Sequence, residues 1–229
     1  MKVTQTLLLY WVYTLCFLGG FINTVSVVKY SYTISHFTGN VSKTAINIAS
    51  GNFIEVFKIL FIIVCFVVGA AISGYIIEGR EFNLKRRYGY CILVLGLGLL
   101  FLHFVAGDSW MFFYYLPFMM GVQNGLFICY KGVVVRTSHV SGSVTDAGVY
   151  LGHWLRGKKE EKWKGLFCFF MVLSFLVGGF FGVETFIWMK DNVFVVASLG
   201  YFFVAGMYLY LRHRYRNLLC SSDECYPFN

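Results

Sequence analysis

Six apolar runs occupy most of this 229-residue chain, at 6–28, 55–77, 89–106, 110–133, 165–188 and 190–212. Each meets or approaches the roughly 20 residues that a helix needs to cross bilayer hydrocarbon. A soluble core of this length has no room to hide that much apolar surface, whereas a bilayer accepts it. Composition agrees: the chain is 58% hydrophobic and only 13% charged, where soluble domains carry roughly 25% charge. The sequence therefore predicts an all-α polytopic membrane protein, with the lipid bilayer as its first partner. The opening MKVTQTLLLYWVYTLCFLGG has a signal-like positive start. Because five more apolar runs follow, a first membrane helix is expected there rather than a cleaved peptide.

Two further stretches, 36–52 and 137–155, are long enough to cross but rich in Ser, Thr, Asn, His and Gly. They either cross as polar helices, giving eight spans, or dip in and return, giving six. Basic residues collect on the cytoplasmic side of membrane proteins, which decides between these. With six spans, the N-terminus, loops 78–88 and 134–164, and the tail from Arg212 share one side and hold 14 of the 19 Lys and Arg residues. The opposite side holds Lys29, Lys43 and Lys190. With eight spans the bias vanishes. Six spans with both termini cytoplasmic is the predicted topology. Trp110 and Trp188 then fall at outer ends, and Trp11, Trp154 and Trp163 at inner ones, where amphipathic indoles prefer to sit. RGKKEEKWK at 156–164 reads as a solvated cytoplasmic face, so the net charge of +8 calls for no nucleic-acid partner.

The polar stretches resemble each other. HFTGNVSK at 36–43 is matched by HVSGSVTD at 139–146. Upstream, Gly20 and Asn23 correspond to Gly121 and Asn124 at an offset of 101; His36, Gly39 and Val41 then correspond to His139, Gly142 and Val144 at 103. The unit is helix, polar phrase, helix, helix, occurring twice: residues 1–106 form the first copy, 107–212 the second, and 213–229 a cytoplasmic tail. Three crossings is an odd number, so the second copy enters the membrane from the other side. The expected architecture is a 3+3 inverted repeat whose re-entrant or broken polar segments meet near the midplane.

GGFINTVS, SHFTGN, MGVQNG and TSHVSGSVTD closely resemble the paired signatures of the bacterial YoaK-type (DUF1275) membrane proteins. The resemblance covers essentially the whole chain and implies a polytopic inner-membrane protein without a settled activity. Asn23 departs from it, since the resemblance leads one to expect an acidic residue there.

Irregular polar backbone at membrane depth is tolerated where it is buried in protein or lines a wet cavity. Thr38 and Ser141 are natural N-caps for helices starting inside the phrases, and two such starts facing each other favour an anion or a polar neutral solute. His36, Thr38, Gly39, Asn40 and Ser42, with His139, Ser141, Gly142, Ser143 and Thr145, are the expected lining of a solute path. Asn23, Gln123 and Asn124 on the preceding helices either join that lining or cross-link helices. Lys43 and its mate Asp146 are candidates for a buried charge pair across the pseudo-two-fold axis.

The functional reading is a transporter or channel for a small polar or anionic solute. Its alternatives are a scaffold, in which the small residues only permit close packing, and a membrane-embedded enzyme. In the last, His36 and His139 would ligate a metal, or one would serve as a base beside Ser141 or Ser143. No HExxH or GxSxG motif supports catalysis, so no catalytic residue, metal or cofactor is expected. Five of the seven cysteines stand alone in apolar runs, and CSSDEC at 220–225 has no familiar zinc spacing. A homo-oligomer is compatible with all of these readings.

Overall fold

The computed structural model describes residues 2–77, 86–107, 109–126, 128–130 and 133–220, with the side chains of 2–5, 128–130 and 215–220 excepted. The apolar runs become helices α1 (Lys2–Tyr30), α3 (Phe53–Ile76), α4 (Arg86–Ala106), α5 (Trp110–Gly125), α7 (Lys162–Met189) and α8 (Val193–Cys220). The polar phrases open two shorter helices, α2 (Phe37–Ala49) and α6 (Val140–Leu155). Among the described residues, four stretches are long and apolar enough to cross a membrane: Thr6–Tyr30, Phe53–Ile76, Arg86–Ala106 and Lys159–Arg214, the last containing α7 and most of α8.

The fourth apolar run departs from expectation. The predicted helix 110–133 stops at Gly125, and strands β1 (Ile128–Tyr130) and β2 (Val133–Val135) pair antiparallel with Cys129 opposite Val134. Ile128, Tyr130 and Val133–Val135 are β-branched or aromatic, types that favour strands. The tail beyond Cys220, with all of CSSDEC but its first residue, lies outside the described residues, as does most of the loop 78–88.

Small residues set how the long helices meet. Along α1 and α7, Tyr13 faces Phe167 with ring centroids 5.8 Å apart, Phe17 lies against Gly178, Phe21 against Gly182, and Lys29 pairs with Asp191. Both numbers rise together, so these helices run parallel. At the crossing the backbones touch: a Cβ on Gly20 would stand 1.9 Å from the carbonyl oxygen of Phe175, and one on Gly178 would stand 2.0 Å from that of Phe17. Helices α3 and α5 repeat the arrangement, with Phe61 beside Tyr114 at 4.5 Å and Gly125 beside Ser73. There a Cβ on Gly69 or Gly121 would stand 2.1 Å from the carbonyl of Phe118 or Phe66, respectively. Helices α4 and α8 are antiparallel, Tyr88 and Gly89 meeting Tyr208 and Leu209 while Gly96 meets Tyr201.

These directions sort the helix ends. One end of the bundle gathers Lys29 with Asp191, Tyr32 with Glu55, Lys58 with Trp110, and Phe112 with Phe194. The other gathers Trp11 and Tyr88 on Tyr208, and Arg87, which donates to the carbonyl of Ile76 at 2.8 Å. Thus α1, α4 and α7 end where α3, α5 and α8 begin. Trp11 is wholly buried against Tyr208 and belongs to the core instead of the interface belt expected for it, whereas Trp110 and Trp188 are exposed.

Candidate functional site

After α1 the chain turns back along the helix it has just left. Asn23, buried two turns before the end of α1, accepts from the backbone N–H of Ile34 at 3.2 Å and from Ser35 Oγ at 2.9 Å. The second phrase is anchored in the same manner: Ser138 N donates to Asn124 Oδ1 at 3.0 Å and Asn124 Nδ2 donates to Ser138 Oγ at 2.6 Å. Gln123, beside Asn124, is a buried junction. Its amide donates to the carbonyl of Leu15 at 3.0 Å and to Thr137 Oγ1 at 2.8 Å, and its oxygen accepts from Tyr201. Asn23, Gln123 and Asn124 are therefore cross-links, and Asn124 alone of the three also borders the cavity below.

Each returning segment delivers a helix start, but not with the expected caps. The N-cap residues are His36 for α2 and His139 for α6, and neither makes a side-chain capping bond. Thr38 and Ser141 lie inside the first turn, where their carbonyls accept from Ser42 Oγ and Thr145 Oγ1, both at 3.0 Å. Both starts face a cavity of about 680 Å³. The first phrase lines it with Ser35, His36, Phe37, Thr38 and Gly39, and the second with Arg136, His139 and Ser141. Phe66 and Ala70 of α3, and Asn124 and Gly125 of α5, complete it.

Six predicted residues thus come together: His36, Thr38, Gly39, Asn124, His139 and Ser141. The others lie outside this lining. Asn40 is buried and tied to Thr33, donating to its carbonyl at 2.9 Å and accepting from its hydroxyl at 3.0 Å. Ser42 and Thr145 bond back along their own helices, and Gly142 sits beneath the ring of His139. Ser143 bonds to the carbonyl of His139 at 3.3 Å and borders a smaller crevice with Cys16 and Arg136. Lys43 is exposed and Asp146 half-buried, and no ion pair among the described residues joins them. The reason is that α2 packs on α3 and α6 on α7, which carries the two positions apart.

Arg136 is the residue that sequence reasoning missed, because it was counted among the basic residues of a cytoplasmic loop. Its side chain is exposed into the cavity, and among the described residues no carboxylate or carbonyl accepts from it. The offset of 103 held the signal: it sets Arg136 opposite Thr33, the only polar-to-cationic exchange within the returning segments 33–36 and 136–139.

The DUF1275 family model, described as a protein of unknown function, matches residues 11–207. The chain belongs to that family. The matched region covers both polar phrases and every cavity-lining residue of this DUF1275 member. No curated protein and no solved structure matches the chain. Among the described residues no three His, Cys, Asp or Glu side chains come together in a way that would hold a metal ion.

Proposed function

We propose that this DUF1275 protein is a six-span membrane protein, a 3+3 inverted repeat that passes a small polar or anionic solute between its two polar phrases. The observation that carries the reading is the cavity of about 680 Å³ bordered by both phrases, a size common for small-molecule sites. The paired glycine crossings support the repeat. Exchanging Gly20 for Gly121 and Phe175 for Phe66 turns the α1–α7 contact into the α5–α3 contact.

Polarity supports a wet cavity. Asn23 lies seven residues before the end of α1, so the returning segment reaches about 10 Å inward from that end. Backbone at such depth is stable where water or a solute reaches it. The outward faces of α3 and α7, by contrast, present Phe57, Phe61, Val64, Leu176 and Phe180, all exposed and all suited to lipid. The end bearing Lys159 and the other basic loops is the cytoplasmic side in this reading, with both termini there.

Gly39→Cys tests it, because a Cβ at position 39 meets no atom within 4 Å and leaves the fold undisturbed. In proteoliposomes a charged methanethiosulfonate reagent should modify this cysteine from water and block efflux of radiolabelled solutes such as lactate and glycerol. A position 39 that no aqueous reagent reaches would make the phrases packing elements and favour the scaffold reading.

A further inference from the structure

The distribution of charge within the cavity narrows the class of solute. Among the described residues Arg136 is the one permanently charged residue lining it, and no Asp or Glu does. Around it stand neutral donors, the hydroxyls of Thr38 and Ser141 and the amide of Asn124, while the Ser35 hydroxyl already donates to Asn23. Part of the lining is carbon: the rings of Phe37 and Phe66 pack at 4.3 Å, and Ala70 adds to that surface. In the first half the position equivalent to Arg136 is Thr33, whose hydroxyl is already bonded to Asn40 at 3.0 Å. The cavity is therefore electrostatically lopsided, cationic on the side of the second phrase and apolar on the side of α3.

We infer that this cavity binds a small organic monocarboxylate, its carboxylate on Arg136 and its apolar body against Phe37 and Phe66. A guanidinium presents a planar fork that matches a carboxylate through two parallel hydrogen bonds. A bare halide would leave most of a volume of about 680 Å³ and its aromatic wall without a partner. A dianion would find one fixed cation where two are needed. The hydroxyls of Thr38 and Ser141, able to donate or accept, complete the shell around the carboxylate oxygens.

The inference rests on the path reading above, and its test separates the two. Full-length protein in detergent is titrated with radiolabelled benzoate, with butyrate, benzamide, chloride and sulfate as competitors. Saturable benzoate binding is expected, displaced by butyrate but not by equal concentrations of benzamide, chloride or sulfate. Arg136→Gln should weaken binding at least tenfold, and Arg136→Lys, which keeps the charge but loses the fork, should fall between. Because the Arg136 side chain makes no hydrogen bond or ion pair among the described residues, both variants should melt with the parent protein. Absence of saturable benzoate binding, unchanged affinity in Arg136→Gln, or displacement by chloride as effective as by butyrate each overturns the assignment. Benzoate binding without any solute efflux would keep the carboxylate site and remove the path. Efflux blocked at Gly39→Cys but indifferent to Arg136→Gln would do the reverse.

Discussion

Ser35 donates from its hydroxyl to the side-chain oxygen of Asn23 at 2.9 Å, and with that bond the chain is held against the helix it has just left. The Ile34 N–H adds a second bond to the same oxygen at 3.2 Å. Replacing Asn23 by Leu strands both donors in a buried site, which should cost about 1–3 kcal/mol. Asn23→Asp retains the acceptor that both donors use and should keep more of the stability than Asn23→Leu. Thermal unfolding in detergent ranks the two; equal losses would mean that shape matters at position 23 and the bonds do not.

The glycine crossings make a sharper claim. A methyl group on Gly20 would stand 1.9 Å from a carbonyl oxygen on the facing helix, and backbone cannot move aside as a side chain does. Gly20→Ala and Gly121→Ala should each destabilise by about 1–3 kcal/mol or more, because the helices must separate. Gly148 lies on an exposed face of α6 with nothing within 4 Å of a new Cβ. Gly148→Ala should be neutral or stabilising by about 0.5–1 kcal/mol, the helical preference of Ala over Gly. Melting curves in one detergent provide the comparison.

Orientation can be read with single cysteines. Ser31 follows α1 at the end that collects Lys29, Asp191 and Trp110, whereas Lys159 precedes α7 at the opposite end. Ser31→Cys should react with an impermeant maleimide on intact cells, and Lys159→Cys only after permeabilisation. Reaction of both on intact cells would overturn the six-span arrangement.

Lys43 and Asp146 occupy equivalent positions in the two phrases with opposite charge, yet the structure joins them by no ion pair. The losses from Lys43→Ala and Asp146→Ala should then add within about 0.5 kcal/mol in the double mutant, as for distant sites. A coupling above 1 kcal/mol in the cycle would bring the pair back.

The sequence showed the elements well and the site only partly. Helix positions were legible because each apolar run is long and its ends carry charge. The cross-linking role of Asn23 and Asn124 was one of two readings, since an Asn on a helix looks the same whether it faces a cavity or a neighbouring strand of chain. Gln123 was harder still: its partners Leu15 and Tyr201 are distant in sequence, and no spacing rule joins them. The helix starts were placed two residues late, because Thr38 and Ser141 have better capping chemistry than His36 and His139. Arg136 was hidden by a counting rule that treats every basic residue between spans as solvated.

The parallel crossings also set an order of events during synthesis. Phe17 and Gly178, which touch through their backbones, are 161 residues apart in the chain. At typical translation speeds of about 5–20 residues per second, α1 waits roughly 8–30 s for the partner that covers its glycines. Over that interval its narrow face must be covered by lipid or by the insertion machinery. The early half is thus a nascent intermediate with its main contact surface open. Slow codons between α4 and α5 would prolong that exposure, and a chain divided there would have to find its other half to complete either crossing.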